Sequence, residues 1–168
     1  MPMIPFVERF RELGIRETRS VIIADRDELS AGEYGFFEFY CNEPECDCRR
    51  VIICVLRPET GWGEVWATIG YGWESLDFYR DWSHGHSDPV EMKGPYLDPL
   101  NVQTDSSPAL LDIFRSMIES PEYVERLKTH YRMFRDSLGK GPGDLEARRV
   151  ENRRKHVRDP RRRRRPRA

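Results

Sequence analysis

All four cysteines of the chain, Cys41, Cys46, Cys48 and Cys54, fall between positions 41 and 54 in the spacing C-x4-C-x-C-x5-C. Scattered core thiols do not bunch in this way. The chain is not cysteine-rich overall and opens without a secretory signal, so a disulfide framework is not the expected use. In a reducing compartment, clustered cysteines bind metal or do redox chemistry. In an extended segment residues i and i+2 point to the same side, so Cys46 and Cys48 can aim two thiolates at one point. Cys41 ends the preceding strand, on the other rim of the same short loop. Three sulfurs can therefore converge on Zn2+, with bonds of about 2.3 Å. The loop 42–49 contains Pro44 to fix its path and no apolar side chain besides its cysteines. A bound metal would account for its order.

Cys54 does not fit that site. In a regular hairpin it stands opposite a residue near Phe37, on the order of 13 Å from the loop end. It reads as a small buried apolar residue. The fourth ligand then comes from elsewhere: His84 or His86, in Ser83-His-Gly-His-Ser87, or else Asp47, Glu45 or water. His84 completes the expected set Cys41, Cys46, Cys48, His84. Two other readings compete with a structural zinc: unligated structural thiols, and a redox or disulfide function. The second is weakened because a Cys46–Cys48 disulfide is sterically poor in an extended segment.

Other chemistry-bearing residues read more plainly as structure. Arg49 and Arg50 could hold an anion or steady thiolates, but fit a solvated strand start. Trp62, Trp66, Trp73 and Trp82 could form a stacking surface, yet aromatics dominate small cores. Glu74, Asp77 and Asp81 recur at helical spacing and could bind a divalent ion, but make an ordinary solvated face. His130 lies near the apolar stripe of the last helix. No phosphate-binding loop, dinucleotide fingerprint, nucleophile elbow or H-E-x-x-H occurs. Without a nucleophile–base pair, an enzyme is the less favoured class.

The elements that must position these residues follow from hydrophobic period. Phe6, Val7, Phe10 and Leu13 share a helical face, with Gly14 as its stop. Strands are expected at 19–24, 34–41, 50–56 and 64–71, and a short helix at 74–82. Residues 83–106 look irregular. Ser107-Pro108 and Ser120-Pro121 each place an N-cap serine before an N1 proline, opening two amphipathic helices. The second buries Tyr123 or Val124, Leu127, Tyr131, Phe134 and Leu138, and stops at Gly139. Strands in succession and then helices in succession predict an α+β fold: an antiparallel meander of about four strands with helices packed on one face.

Charge divides the chain in two. Residues 140–168 carry 13 Lys/Arg against 4 Asp/Glu, a net of +9, and the rest carries −10. After Gly141-Pro142-Gly143 there are too few apolar residues for a core. The run Arg161–Arg165 repels itself and stays extended. The expected organisation is a domain over 1–139 and a disordered Arg-rich tail over 140–168. The tail is a candidate contact for nucleic acid or another polyanion. No apolar run is long enough to span a membrane, so a cytoplasmic protein is expected.

The stretch from Tyr34 to Ile53, together with Ala67–Glu74 and Leu127–Phe134, resembles the N-terminal region of uncharacterised bacterial proteins that end in a SecA-C-terminal-type (SEC-C) metal-binding motif. The resemblance covers roughly residues 18–138. The SEC-C motif itself is absent, since residues 140–168 contain no cysteine. The resemblance therefore implies a domain of unknown function often found beside metal-binding segments, without that motif's own ligands. Taken together, these features predict a zinc-stabilised binding or adaptor module with a basic tail. The alternative is a metal-dependent hydrolase or nuclease with an open metal position.

Overall fold

The computed structural model describes residues 3–25, 28–60 and 63–138. The tail from 140, Gly139 and Trp62 lie outside the described residues. A short strand β1 (Met3–Pro5) leads into α1 (Phe6–Arg9) and α2 (Arg11–Glu17). Then come β2 (Arg19–Ile23), β3 (Gly32–Cys41), β4 (Arg50–Leu56) and β5 (Val65–Gly72). Next are α3 (Leu76–Trp82), α4 (Pro89–Lys93) and β6 (Tyr96–Leu97). The long helices α5 (Ser107–Ile118) and α6 (Pro121–Ser137) close the order.

The sheet is antiparallel, in the order β1-β3-β4-β5-β6, with β2 beside β1 along the same edge of β3. The expected meander is its centre, and the α+β class holds. β1, β6 and α4 are additions that short sequence windows did not separate from loop. Gly14 is also a departure from expectation. It lies inside α2, where a Cβ would stand 2.6 Å from Val7 Cγ1, so the missing side chain lets the two first helices close on each other. The break falls at Phe10, whose backbone leaves the helical region between α1 and α2.

Pleat alternation assigns the two faces. Tyr34, Phe36, Val55, Ile53, Ala67 and Ile69 are fully buried, with Leu110 and Phe114 of α5 and Leu127 and Phe134 of α6. Burying each such side chain is worth about 1.5–3 kcal/mol, which makes this face the core. Ser120 caps α6 as expected, accepting from Tyr123 N. Ser107 sits one residue inside α5 instead. Its hydroxyl accepts from Thr104 N at 2.8 Å and donates to Trp66 O at 2.9 Å, tying the helix start to β5.

The opposite face is only partly covered. Gly70 and Gly72 alternate on β5, and a Cβ there would stand 2.3 Å from the Tyr96 ring and 2.1 Å from Tyr79 Oη. The two glycines thus let Tyr96 of β6 and Tyr79 of α3 approach the strand closely. Beyond them a groove of about 690 Å³ runs over Phe39, Ile52, Cys54 and Thr68 to Cys41 and Cys48. Among the described residues, no helix is long and apolar enough to cross a membrane.

Candidate metal centre

The β3–β4 connection, residues 42–49, brings together the three cysteines that their spacing singled out. The Sγ atoms of Cys41, Cys46 and Cys48 all lie within 4.8 Å of one another. Tetrahedral zinc thiolates with bonds of about 2.3 Å have sulfurs about 3.8 Å apart. The cluster needs only a small contraction to close on an ion. Cys41 and Cys48 are buried and Cys46 is half-buried. None of the four cysteines is in a disulfide.

Three thiols this close cannot ionise independently. Hydrogen bonding from Cys48, aided by Cys46 and the Glu43 backbone, lowers the Cys41 pKa to about 6 despite its burial. The Cys48 thiol is pushed up, chiefly by its hydrogen bond to Cys41 and by burial. Burial, and then the bond to Cys41, also raise Cys46. The hydrogen bonds thus favour negative charge on the Cys41 sulfur and protons on Cys46 and Cys48. A cation would take the place of those protons.

The loop is held from several sides by protein groups. Arg135 of α6 donates to the carbonyls of Glu43 and Pro44, at 2.5 and 2.6 Å. Tyr131 Oη accepts from Arg49 N and donates to Asp47 Oδ1. Arg9 reaches Asn42 Oδ1 at 3.0 Å, and Tyr79 Oη donates to Arg49 O at 2.8 Å. A bound metal was expected to account for the order of this loop; α1, α3 and α6 contribute to it as well. Arg49, at a φ of 46°, makes three bonds to Asp47, pairs with Glu74 and lies over the Phe78 ring. Arg50 donates to Tyr96 Oη. Both arginines are engaged in internal contacts, and Asp47 is already committed to Arg49 and Tyr131.

His84 does not belong to the three-sulfur group. It is exposed, at a φ of 51°, in the turn that follows α3. Trp82, two residues earlier, lines both the groove beside Cys41 and Cys48 and a second cleft of about 570 Å³ beside Cys46. The end of α3 thus flanks the cluster, while the imidazole of His84 is not among its neighbouring ligand atoms.

Cys54 pairs with Phe37 across β3–β4, as the hairpin geometry requires, and stays out of the group. It is half-buried in the groove face, not sealed in the core. Burial still pushes its thiol up to about 11. Trp66, Trp73 and Trp82 pack against the core cluster, which favours their structural role. Among the described residues, Glu74, Asp77 and Asp81 form no metal-ligand group.

A second polar cluster was not legible. His130 is 2% exposed and stacks on Phe6 at 4.2 Å. Its Nδ1 meets Glu38 Oε2 at 2.6 Å and its Nε2 meets Glu17 Oε2 at 3.0 Å. Tyr40 Oη donates to the same Glu38 oxygen. The one available signal was a charged residue on the core register of β3, between Phe36 and Tyr40. No family model, curated protein or solved structure matches the chain.

Proposed function

We propose that this chain is a zinc-stabilised binding or adaptor module, in which Cys41, Cys46 and Cys48 hold one ion and His84 closes the fourth position. The observation that carries the reading is the convergence of the three sulfurs within 4.8 Å on one loop. Soft thiolates select zinc over the hard cations. A site with four protein ligands is structural; one with three and an exchangeable ligand permits catalysis. His84 reaches the ion by a rearrangement of the exposed turn that follows α3. The likeness to domains found beside SEC-C segments agrees with a metal-associated role, with its own ligands in this loop.

Residues 140–168 are the second working part. A segment of net +9 attached to a body of net −10 is suited to a polyanion that the body itself repels. Nucleic acid is the partner proposed. Phosphate contacts alone carry no sequence information, so binding has no sequence preference.

Elemental analysis of tag-free protein prepared without chelator tests the first part: about one zinc per chain is expected, and no metal would refute it. Cobalt(II) substitution then distinguishes the alternative hydrolase or nuclease, since Cys41 and Cys48 border the groove and an open fourth position would bind added azide or thiol. A His84→Ala change leaves such a site untouched but alters the cobalt spectrum of a closed one. For the tail, duplex titrations at several salt concentrations should give log K falling with log salt at a slope of about −5 if roughly six phosphates are neutralised. Binding that survives removal of residues 140–168 would refute that part.

A further inference from the structure

The outer edge of β2 carries an unusual side chain for an edge strand. Ile22 is 84% exposed, on the face away from the core, and Arg19 and Ser20 are exposed with it. Among the described residues, the only ladder partner of β2 is β3. An unpaired strand edge with an exposed apolar residue and no proline is a template for another strand. We propose that β2 is the interface through which two copies of this chain associate, each strand pairing antiparallel with its two-fold mate about Ile22.

The register follows from symmetry. A two-fold perpendicular to the sheet keeps each face on its own side, so directly opposed residues must share a face. The pairing must then centre on a residue. Centring on Ile22 sets Ile22 against its counterpart and Ser20 against Ala24, small residues that leave room for the two isoleucines. On the other face Val21 meets Ile23, and Arg19 meets Asp25, so each dimer gains two opposite-charge pairs. Asp25 is exposed and stands two residues past the end of β2, within reach of an extended strand. Centring on Val21 instead would set Glu17 against Asp25 and strand Arg19 opposite Ile23. The sequence Arg19-Ser-Val-Ile-Ile-Ala-Asp25 is thus complementary to its own reverse about Ile22 alone, which identifies the partner as a second copy of the chain. This association is independent of the metal centre, which lies at the β3–β4 end.

Light scattering on the nuclease-treated full-length chain tests it. The expected mass is twice the 19.9 kDa of one chain. Ile22→Lys changes an exposed residue, so the fold survives while the mass falls to that of one chain. Arg19→Asp or Asp25→Arg alone sets like charges opposite each other twice per dimer, and should raise the dissociation constant roughly tenfold or more. The double variant R19D/D25R should restore association, because each pair is rebuilt with its signs exchanged. A wild-type chain that stays monomeric to its solubility limit overturns the proposal. So does a dimer that survives Ile22→Lys, or a double variant no better than either single one.

Discussion

Helix α6 borders two polar clusters, and they balance their charge by different means. At His130 both ring nitrogens face carboxylates, Glu38 on β3 and Glu17 on α2, and Tyr40 completes the Glu38 oxygen. Three elements close that cluster from within the chain. On the same helix, Tyr131, next to His130, and Arg135, just over a turn further on, hold a loop whose three sulfurs hydrogen-bond among themselves. The arginines that follow Cys48 in the chain are engaged elsewhere: Arg49 and Arg50 turn to Asp47, Glu74 and Tyr96. A cluster that satisfies itself reads as architecture. One that gathers three sulfurs within 4.8 Å on a braced loop reads as a receptor for a cation.

That contrast can be broken most forcefully at the closed cluster. His130→Ala strips a buried carboxylate of its ring partner and should cost about 3–5 kcal/mol in denaturant unfolding, with or without zinc. If the loss is under about 1 kcal/mol, the cluster is not the structural one. For the open cluster, Cys46→Ser with Cys48→Ser should abolish metal binding. Wild-type stability should rise by about 1.4 kcal/mol per tenfold excess of free zinc above the dissociation constant, while the double variant stays flat. Thermal melts across a zinc-buffer series decide this. Arg135→Ala releases the Glu43 and Pro44 carbonyls and should weaken zinc about tenfold, the scale of outer-shell effects, at a stability cost of about 1 kcal/mol. An unchanged affinity in a competition titration would mean that the clamp does not position the sulfurs.

The smallest effect concerns Cys54, the cysteine on neither side of the contrast. Cys54→Ala should retain the full zinc content. Its thiol ionises at about 11 in the fold because burial disfavours the thiolate, against 9.0 for an ordinary thiol. The unfolded chain therefore loses its proton first, and Cys54 costs stability as pH climbs from 9 toward 11. C54A should lack that part of the alkaline decline, measured as the difference between two unfolding curves over that range. A metal content that falls in C54A would place this residue in the site after all.

How far these clusters could be read from sequence depended on the range of the interactions involved. The bounds of β4, the opposition of Cys54 and Phe37, and the Ser120 cap are local consequences of period and hydrogen-bond chemistry, and the structure matches them. The approach of Cys41 to Cys46 and Cys48 followed from a hairpin's own geometry. His130 meeting Glu38 and Glu17 depends on how α6 crosses the sheet, 92 and 113 residues away in sequence, which no local pattern encodes. Alternation put Cys54 on a face but could not show that the face opens into a groove. β1, β6 and α4, of 3, 2 and 5 residues, are too short to display a period.

The anchoring of the cysteine loop by Arg135, Tyr131, Arg9 and Tyr79 also bears on selectivity among ions. A limp loop wraps around whatever binds it and discriminates by affinity alone, which ranks copper above zinc. A braced loop presents its sulfurs at a spacing it did not take from the guest. Ions that demand a planar arrangement, or a longer bond, must then deform α6 contacts to be accommodated. If the proposed ion binds here, the clamp would make the shape of the site, and not only the softness of its sulfurs, part of what distinguishes one metal from another.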